Sequence, residues 1–200
     1  MDQHREVPWH EGAWLNEPQH MQTDGPDLLV TARARSDFWR TTSYGFVRDD
    51  GHALLRDFPQ DSATEVTFLA DFETLYDQAG LMVRVDAETW IKAGVEASDG
   101  VPQLGAVVTR GVSDWSLAPV PDWHKRRVTV RASRRGDAVI IRARCEDGPW
   151  RMVRLAPLSA EALATAGPFC CSPQRDGLKV RFTRFTRGPA DTALHQPTDT

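Results

Sequence analysis

Cysteine is scarce in this chain: three in 200 residues, two of them neighbours at Cys170 and Cys171. An odd, partly adjacent set gives neither a disulfide framework nor the paired spacing of a zinc site, and is the usage of a reducing compartment. The protein is therefore read as cytoplasmic with free thiols, and neither a metal nor a cofactor is expected. Long apolar runs are missing as well. None approaches the ~20 residues a membrane-crossing helix needs, and the opening MDQHREVPWHEG has no signal-peptide core, so no membrane association is expected. Basic charge is not in surplus. A net charge of −4 argues against a general nucleic-acid binder. Helical periodicity is nearly absent, and only Ser159 to Ala166 (SAEALATA) reads as a short helix with Ser159 as its N-cap. There are no internal repeats and no low-complexity block. A hydrophobic content of 40% suffices for one buried core.

What is present is alternation. From Leu75 to Ser116 the chain lays down three consecutive strands read with a step of two. Ala79, Leu81, Val83 and Val85 fall on one side of the first, Ile91, Ala93 and Val95 on one side of the second, and Leu104, Ala106 and Val108 on one side of the third. The opposite sides carry Gln78, Met82, Arg84 and Asp86, then Trp90, Lys92, Gly94 and Glu96, then Gln103, Gly105, Val107 and Thr109. That second face is too polar and aromatic for a core. Asp99-Gly100 is a two-residue hairpin signal, since both tolerate positive φ. It sets Val95 against Leu104, Ala93 against Ala106, Ile91 against Val108 and Glu96 against Gln103. A slip of one residue would turn the apolar set into solvent. The looser turn at Asp86 to Thr89 brings Arg84 close to Lys92, two cations that repel unless an anion stands between them.

Further strands are expected at Leu28 to Arg33, from His52 to Leu55, and at Glu65 to Asp71, with Trp14 to Pro18 a strand or loop. Arg127 to Ser133, Ala138 to Arg144, Trp150 to Leu155 and Leu178 to Thr186 follow, and Ser113-Asp114-Trp115-Ser116 reads as a turn. The arginines of these late strands, alternating with apolar residues, read as a solvent face. Many short strands with turns between them give an all-β protein, an antiparallel β-sandwich of the jelly-roll kind. One sheet of such a fold often presents a concave polar groove. The expected organisation is a flexible N-terminus over residues 1–13, a single jelly-roll domain over 14–186 and a disordered tail over 187–200.

The run YDQAGLMVRVDAETWIKAGVE, the DG turn, VVTR and SDWS, with FWRTTSYGF and Gly51-His52 upstream, resembles the regulation-of-enolase protein family, formerly a domain of unknown function. The resemblance spans Trp14 to Phe185. It implies the concanavalin A-like fold of the lectin/glucanase superfamily, and little about activity, because fold alone does not carry function.

The related glucanases use a Glu-x-Asp-x-x-Glu strand motif, which this chain lacks: Asp86 and Glu88 sit at a turn and Glu96 stands alone on its strand. No catalytic residue is assigned. A sugar site combines aromatic faces with a few planar polar groups. Trp39, Trp90 and Tyr76 would supply the first, and Arg40, Gln78, Arg84, Lys92 and Glu96 the second, with His52 and Asp77 as further contacts. Arg84 and Lys92 together would suit an anionic sugar. The sequence thus points to a non-catalytic binding protein with a carbohydrate-like ligand. The competing readings are a regulatory protein working through a protein–protein surface, as a homodimer or with another partner, and a hydrolase with an unfamiliar carboxylate arrangement. A solvated sheet face, on which Lys92 and Glu96 simply pair, is the plain alternative to a site.

Overall fold

The computed structural model describes residues 4–195. Residues 1–3 and 196–200, the outer ends of the two segments expected to be flexible, lie outside the described residues. In chain order the strands are β1 (Arg5–Glu6), β2 (Ala13–Leu15), β3 (His20–Asp24), β4 (Asp27–Thr31), β5 (Phe38–Arg40), β6 (Val47–Asp49), β7 (His52–Asp57), β8 (Ser62–Leu69) and β9 (Gln78–Arg84). They continue as β10 (Thr89–Ser98), β11 (Val101–Arg110), β12 (Val112–Pro119), β13 (Arg127–Arg135), β14 (Ala138–Cys145), β15 (Arg151–Pro157), β16 (Thr165–Cys171) and β17 (Lys179–Pro189).

Two antiparallel sheets pack face to face. One has seven strands in the order β12-β11-β10-β9-β16-β7-β2; the other runs β15-β14-β13-β8-β17-β4-β3, with β1 added beside β17 as an eighth strand. The central hairpin register is the one its turn chemistry dictates: Val95 faces Leu104, Ala93 faces Ala106, Ile91 faces Val108, and Glu96 faces Gln103. Ala79, Leu81 and Val83 of β9, Ile91, Ala93 and Val95 of β10, and Leu104, Ala106 and Val108 of β11 are buried in the inter-sheet core. Val66 and Phe68 of β8, Val128 and Val130 of β13, and Phe182 and Phe185 of β17 belong to the same cluster. Burying each such side chain contributes about 1.5–3 kcal/mol, so the alternation alone fixes which face turns inward.

Three local differences from the sequence reading have physical causes. Ser159 to Ala166 is no helix: a loop leads into β16 at Thr165. The carbonyls a helix would need are taken elsewhere, those of Ser159, Ala160 and Ala162 by the Arg134 guanidinium and that of Ala160 also by Gln60. So short a segment cannot hold a helix against such competition, and among the described residues the helical pieces are two 3-10 turns, Trp9–Glu11 and Pro121–Trp123. Ser113 to Ser116 is strand rather than turn, paired along β11 within β12. At the termini, Arg5–Glu6 pairs with Thr186 and Arg187, and β17 continues to Pro189, past the expected domain end at 186. No helix among the described residues is long and apolar enough to cross a membrane.

A third, two-stranded sheet, β5-β6, lies across the outer face of the seven-stranded sheet. That face carries a second apolar cluster of Phe38, Trp39, Ala53, Met82, Trp90, Val107, Phe169 and Cys171. The face expected to be too polar and aromatic for a core is therefore half core. The β5–β6 flap covers one part of it, and the pocket described next occupies the other.

Candidate functional site

The floor of the pocket is written in the pairing of three strands. Lys92, Gly94 and Glu96 point outward from β10, and the register places Gly80 of β9 and Gly105 of β11 on either side of Gly94. A Cβ on Gly94 would stand 2.1 Å from the carbonyl oxygen of Ala79, and one on Gly80 would stand 2.0 Å from that of Ala93. No side chain fits there, so the sheet is bare between the ammonium of Lys92 and the carboxyl of Glu96. Gln78, Val107 and Trp115 complete the floor, and the whole recess holds about 280 Å³.

The walls come from the flap. Trp39 stands on β5, its indole N–H donating to the Thr42 carbonyl at 3.0 Å. It meets Trp115 edge-on at 5.8 Å between ring centres and Tyr44 edge-on at 5.4 Å, and Tyr44 stacks on Phe46 at 5.6 Å. Such pairs contribute about 0.5–1.5 kcal/mol each beyond the area they bury. Across the mouth, the Tyr44 and Tyr76 hydroxyls are 3.5 Å apart, a contact that with burial raises the Tyr76 hydroxyl to about 12.

Two buried cations hold the flap down. Lys92 Nζ donates to Asp37 Oδ1 at 3.0 Å, and Arg84 binds Asp49 through both guanidinium nitrogens, at 2.7 and 2.8 Å. Burial is the largest single influence and opposes the Lys92 charge, but Asp37, with smaller help from Cys171 and Glu96, outweighs it, and the pKa lies above the ordinary value. The sequence foresaw two neighbouring cations in need of an anion; each receives its own carboxylate from the flap. Glu96 is the contrary case. Burial is the largest influence on it and pushes its carboxyl up, Lys92 pulls it down, Asp37 adds repulsion, and the result is about 7. Its Oε1 has no hydrogen-bond partner.

Of the residues singled out in the sequence, Trp39, Tyr76, Gln78, Lys92 and Glu96 line the recess. The others lie outside its lining. Trp90 is 2% exposed beneath the flap, where its ring tilts against Phe38 at 6.0 Å. Arg84 is occupied by Asp49. Arg40 stitches the flap to the far hairpin, donating to the Gly111 carbonyl at 2.8 Å and to Glu88 at 2.7 Å. His52 is fully buried; its Nδ1 lies 2.8 Å from the Asn16 carbonyl and its Nε2 accepts from the Arg33 N–H at 2.9 Å. Asp77, also fully buried, is gripped by Arg175 at 2.6 Å, which anchors the loop carrying Pro173 and Gln174 to the pocket wall. Sequence reasoning missed Asp37, Trp115, Tyr44 and Phe46 as lining residues. The aromatic crowding of FWRTTSYGF marked the last two as a group, and the alternation of Ser113, Trp115 and Leu117 was a strand signal. Nothing in the chain announces that Asp37 meets Lys92, 55 residues on.

The profile of the family described as "Protein of unknown function (DUF1349)" matches residues 14–190. "Regulation of enolase protein 1" of Saccharomyces cerevisiae is 38% identical over 186 residues, covering 92% of this chain and 93% of the relative. The chain belongs to this family. A crystal structure of a functionally unknown protein from Saccharomyces cerevisiae matches with a TM-score of 0.85 at 36% identity, over 92% of this chain and 98% of that one. A xylan beta-1,4-xylosidase from Bacillus halodurans matches with a TM-score of 0.70 at 14% identity, over 94% of this chain and 39% of the other. At that identity the likeness is one of fold.

Proposed function

We propose that this protein is a non-catalytic binding protein whose flap-walled pocket takes a small, neutral, carbohydrate-like ligand. The observation that carries the reading is the pairing of an aromatic wall (Trp39, Tyr44, Phe46, Trp115) with a buried polar floor (Lys92, Glu96, Gln78) in one recess of about 280 Å³. Aromatic faces take the C–H side of a sugar ring and planar polar groups take its hydroxyls, and the volume lies at the small end for ligand sites, suited to one or two rings. An anionic sugar is the weaker fit, because Asp37 and Asp49 neutralise Lys92 and Arg84. A hydrolytic role is weaker still. Asp37 is committed to Lys92, which leaves Glu96 as the acid of the floor without a second carboxylate to work with. The three buried free cysteines accord with the cytoplasm as its compartment.

The test is a thermal-shift screen with glucose, galactose, xylose, arabinose and their disaccharides, beside uronic acids and sugar phosphates. Ligand at ~100 times its Kd adds about 2.7 kcal/mol. A neutral sugar should raise the melting temperature, and Tyr44→Ala and Phe46→Ala, at half-exposed positions, should remove that rise at a cost to the free protein of about 0.5–1.5 kcal/mol per ring pair lost. A panel with no response, or a response to anionic sugars only, overturns the reading.

The name of the yeast relative favours a second reading, regulation through a protein partner. Its surface would be the β15 edge, where Met152 and Leu155 are 45% and 49% exposed. Pull-down by wild type but not by Leu155→Glu would support it.

A further inference from the structure

Glu96 sits in the pocket floor with 9% of its surface exposed, and its Oε1 makes no hydrogen bond. A buried carboxylate oxygen left without a donor costs stability and is rare enough to need a reason. The hydrogen bonds made by the donors on its own and the flanking strands run elsewhere. Lys92, four residues back on the same strand face, binds Asp37. The Gln78 amide, from β9, donates to the Tyr76 carbonyl at 3.1 Å, and the Gln103 amide, from β11, donates to the Ser98 carbonyl at 3.5 Å. The Ser98 hydroxyl lies near enough to favour the charged form of Glu96 but outside bonding geometry, and it too has no partner. Arg48 at the mouth is held by Asp50. Arg35, also at the mouth, is an exposed residue. Asp37, Asp99 and the Tyr76 hydroxyl are the remaining ionisable groups near Glu96, and none of them donates to it. Beside the carboxyl the strand is bare at Gly94.

We infer that Glu96 is the residue that reads the ligand: in its charged form it accepts the O–H groups of two adjacent hydroxyls on a ring, while Lys92 donates to one of the same oxygens. The inference rests on the pocket reading above and narrows it to a vicinal diol. Lys92 has ammonium protons beyond the one directed at Asp37, so a donor and an acceptor share one face of the strand, four residues apart with Gly94 between them. The protonated form of Glu96 offers only one acceptor oxygen and must lose its proton to solvent before it can take both hydroxyls. Binding is then linked to proton release. Because Glu96 titrates near 7 in the free protein, the affinity follows pH across the neutral range. Among the groups facing it, Lys92 and Tyr76 titrate well above that range and the arginines stay charged, so one group carries the dependence.

The experiment is calorimetry of wild type and Glu96→Gln with glucose, galactose, xylose and arabinose, beside methyl 3-O-methylglucoside, in two buffers of different ionisation enthalpy. Wild type should bind its sugar about tenfold more weakly at about pH 6 than at about pH 8, releasing a proton at the lower pH. Glu96→Gln, isosteric and neutral, should fold, lose most of the affinity, and lose the pH dependence. Affinity equal at both pH values, or higher at the lower one, overturns the inference and leaves the pocket reading standing. So does a pH dependence that survives in Glu96→Gln, or a glucose response matched by methyl 3-O-methylglucoside, which has no two adjacent free hydroxyls. If no sugar binds at either pH, both readings fall together.

Discussion

The two sheets of this sandwich turn similar alternating patterns outward and meet opposite fates. On the seven-stranded sheet the outward positions mix Trp90, Met82, Val107 and Phe169 with Arg84, Lys92 and Glu96, and the β5–β6 flap is drawn over them. On the eight-stranded sheet they hold Thr67 and Thr129, hydrogen-bonded at 2.9 Å, with Glu65, Arg131 and Arg142. Among the described residues no third sheet covers these. Instead Asp191 accepts from Arg131 at 3.0 Å and from Arg142, whose guanidinium also takes the carbonyls of Ala193 and Leu194. The arginines read as a solvent face are thus partly capped by the chain's own end, and Arg142 is 5% exposed. The difference lies in apolar content. Where bulky apolar side chains point outward, water is excluded and charges must be paired inside; where threonine and arginine dominate, a thin strap suffices.

The largest effect is expected from removing the apolar side chain that the flap covers. Trp90→Ala should cost about 3–5 kcal/mol, the range for emptying a buried aromatic site, while Trp150→Ala, on a half-buried ring stacked by Arg131 and Arg144 on the other side, should cost much less. Urea unfolding of both variants checks it. Equal losses would mean that the flap side is not a second core.

The clamp comes next. Asp37→Ala leaves the buried Lys92 ammonium without its partner and should destabilise by about 3–5 kcal/mol, whereas replacing both together, Asp37→Leu with Lys92→Met, should recover most of that loss. A double variant as unstable as the single one would show that the pair is not an isolated unit. The paired variant should also lose any sugar response, which separates stability from binding at the same site.

How much of this was legible beforehand follows from which interactions are local. Strand identity, the β10–β11 register and the inward set rest on period-two alternation and an Asp-Gly turn, all written within a few residues. Lys92 and Glu96 were visible as outward residues for the same reason. The covering of their face was not, because it depends on Phe38 and Asp37 arriving from a hairpin over fifty residues upstream. Trp90 looked like a stacking surface because alternation says which side a residue points to and nothing about what lies there. The segment Ser159 to Ala166 has good helix formers, yet its carbonyls are claimed by Arg134 from β13, a long-range competition invisible in propensity.

A smaller effect separates the two charged groups of the pocket floor. Glu96 titrates at about 7 in the folded protein, above the 4.5 of an unperturbed glutamate. Its contribution to stability is therefore complete below the lower value and is lost as pH rises through the upper one. Glu96→Gln cannot ionise, so it should melt above wild type at about pH 8, with the gap closing as pH falls through the interval between the two values. Calorimetric melting across that range decides it. A variant that melts below wild type at the higher pH would mean that the charged carboxylate has a partner in the free protein. A gain in stability would instead mark Glu96 as a residue kept at a cost to the fold, as ligand-reading groups commonly are.

The least effect is expected where an ion pair joins the edges of the two sheets in solvent. Arg154 on β15 reaches Asp114 on β12 at 2.6 Å and Ser116 at 3.2 Å, but the Asp114 side chain is 67% exposed. Water competes for both partners, and the ordering of a long side chain offsets most of the attraction, so Arg154→Ala should change stability by less than about 1 kcal/mol. The same chemistry, one arginine on one aspartate, recurs at Arg84 and Asp49, where Arg84 is nearly enclosed and both carboxylate oxygens are bound. Arg84→Ala should therefore cost several times what Arg154→Ala does, and should loosen the flap enough to raise amide exchange in residues 38–49. If the two losses are alike, burial beneath the flap does not strengthen the charges it covers, and the contrast between the two faces reduces to apolar packing alone.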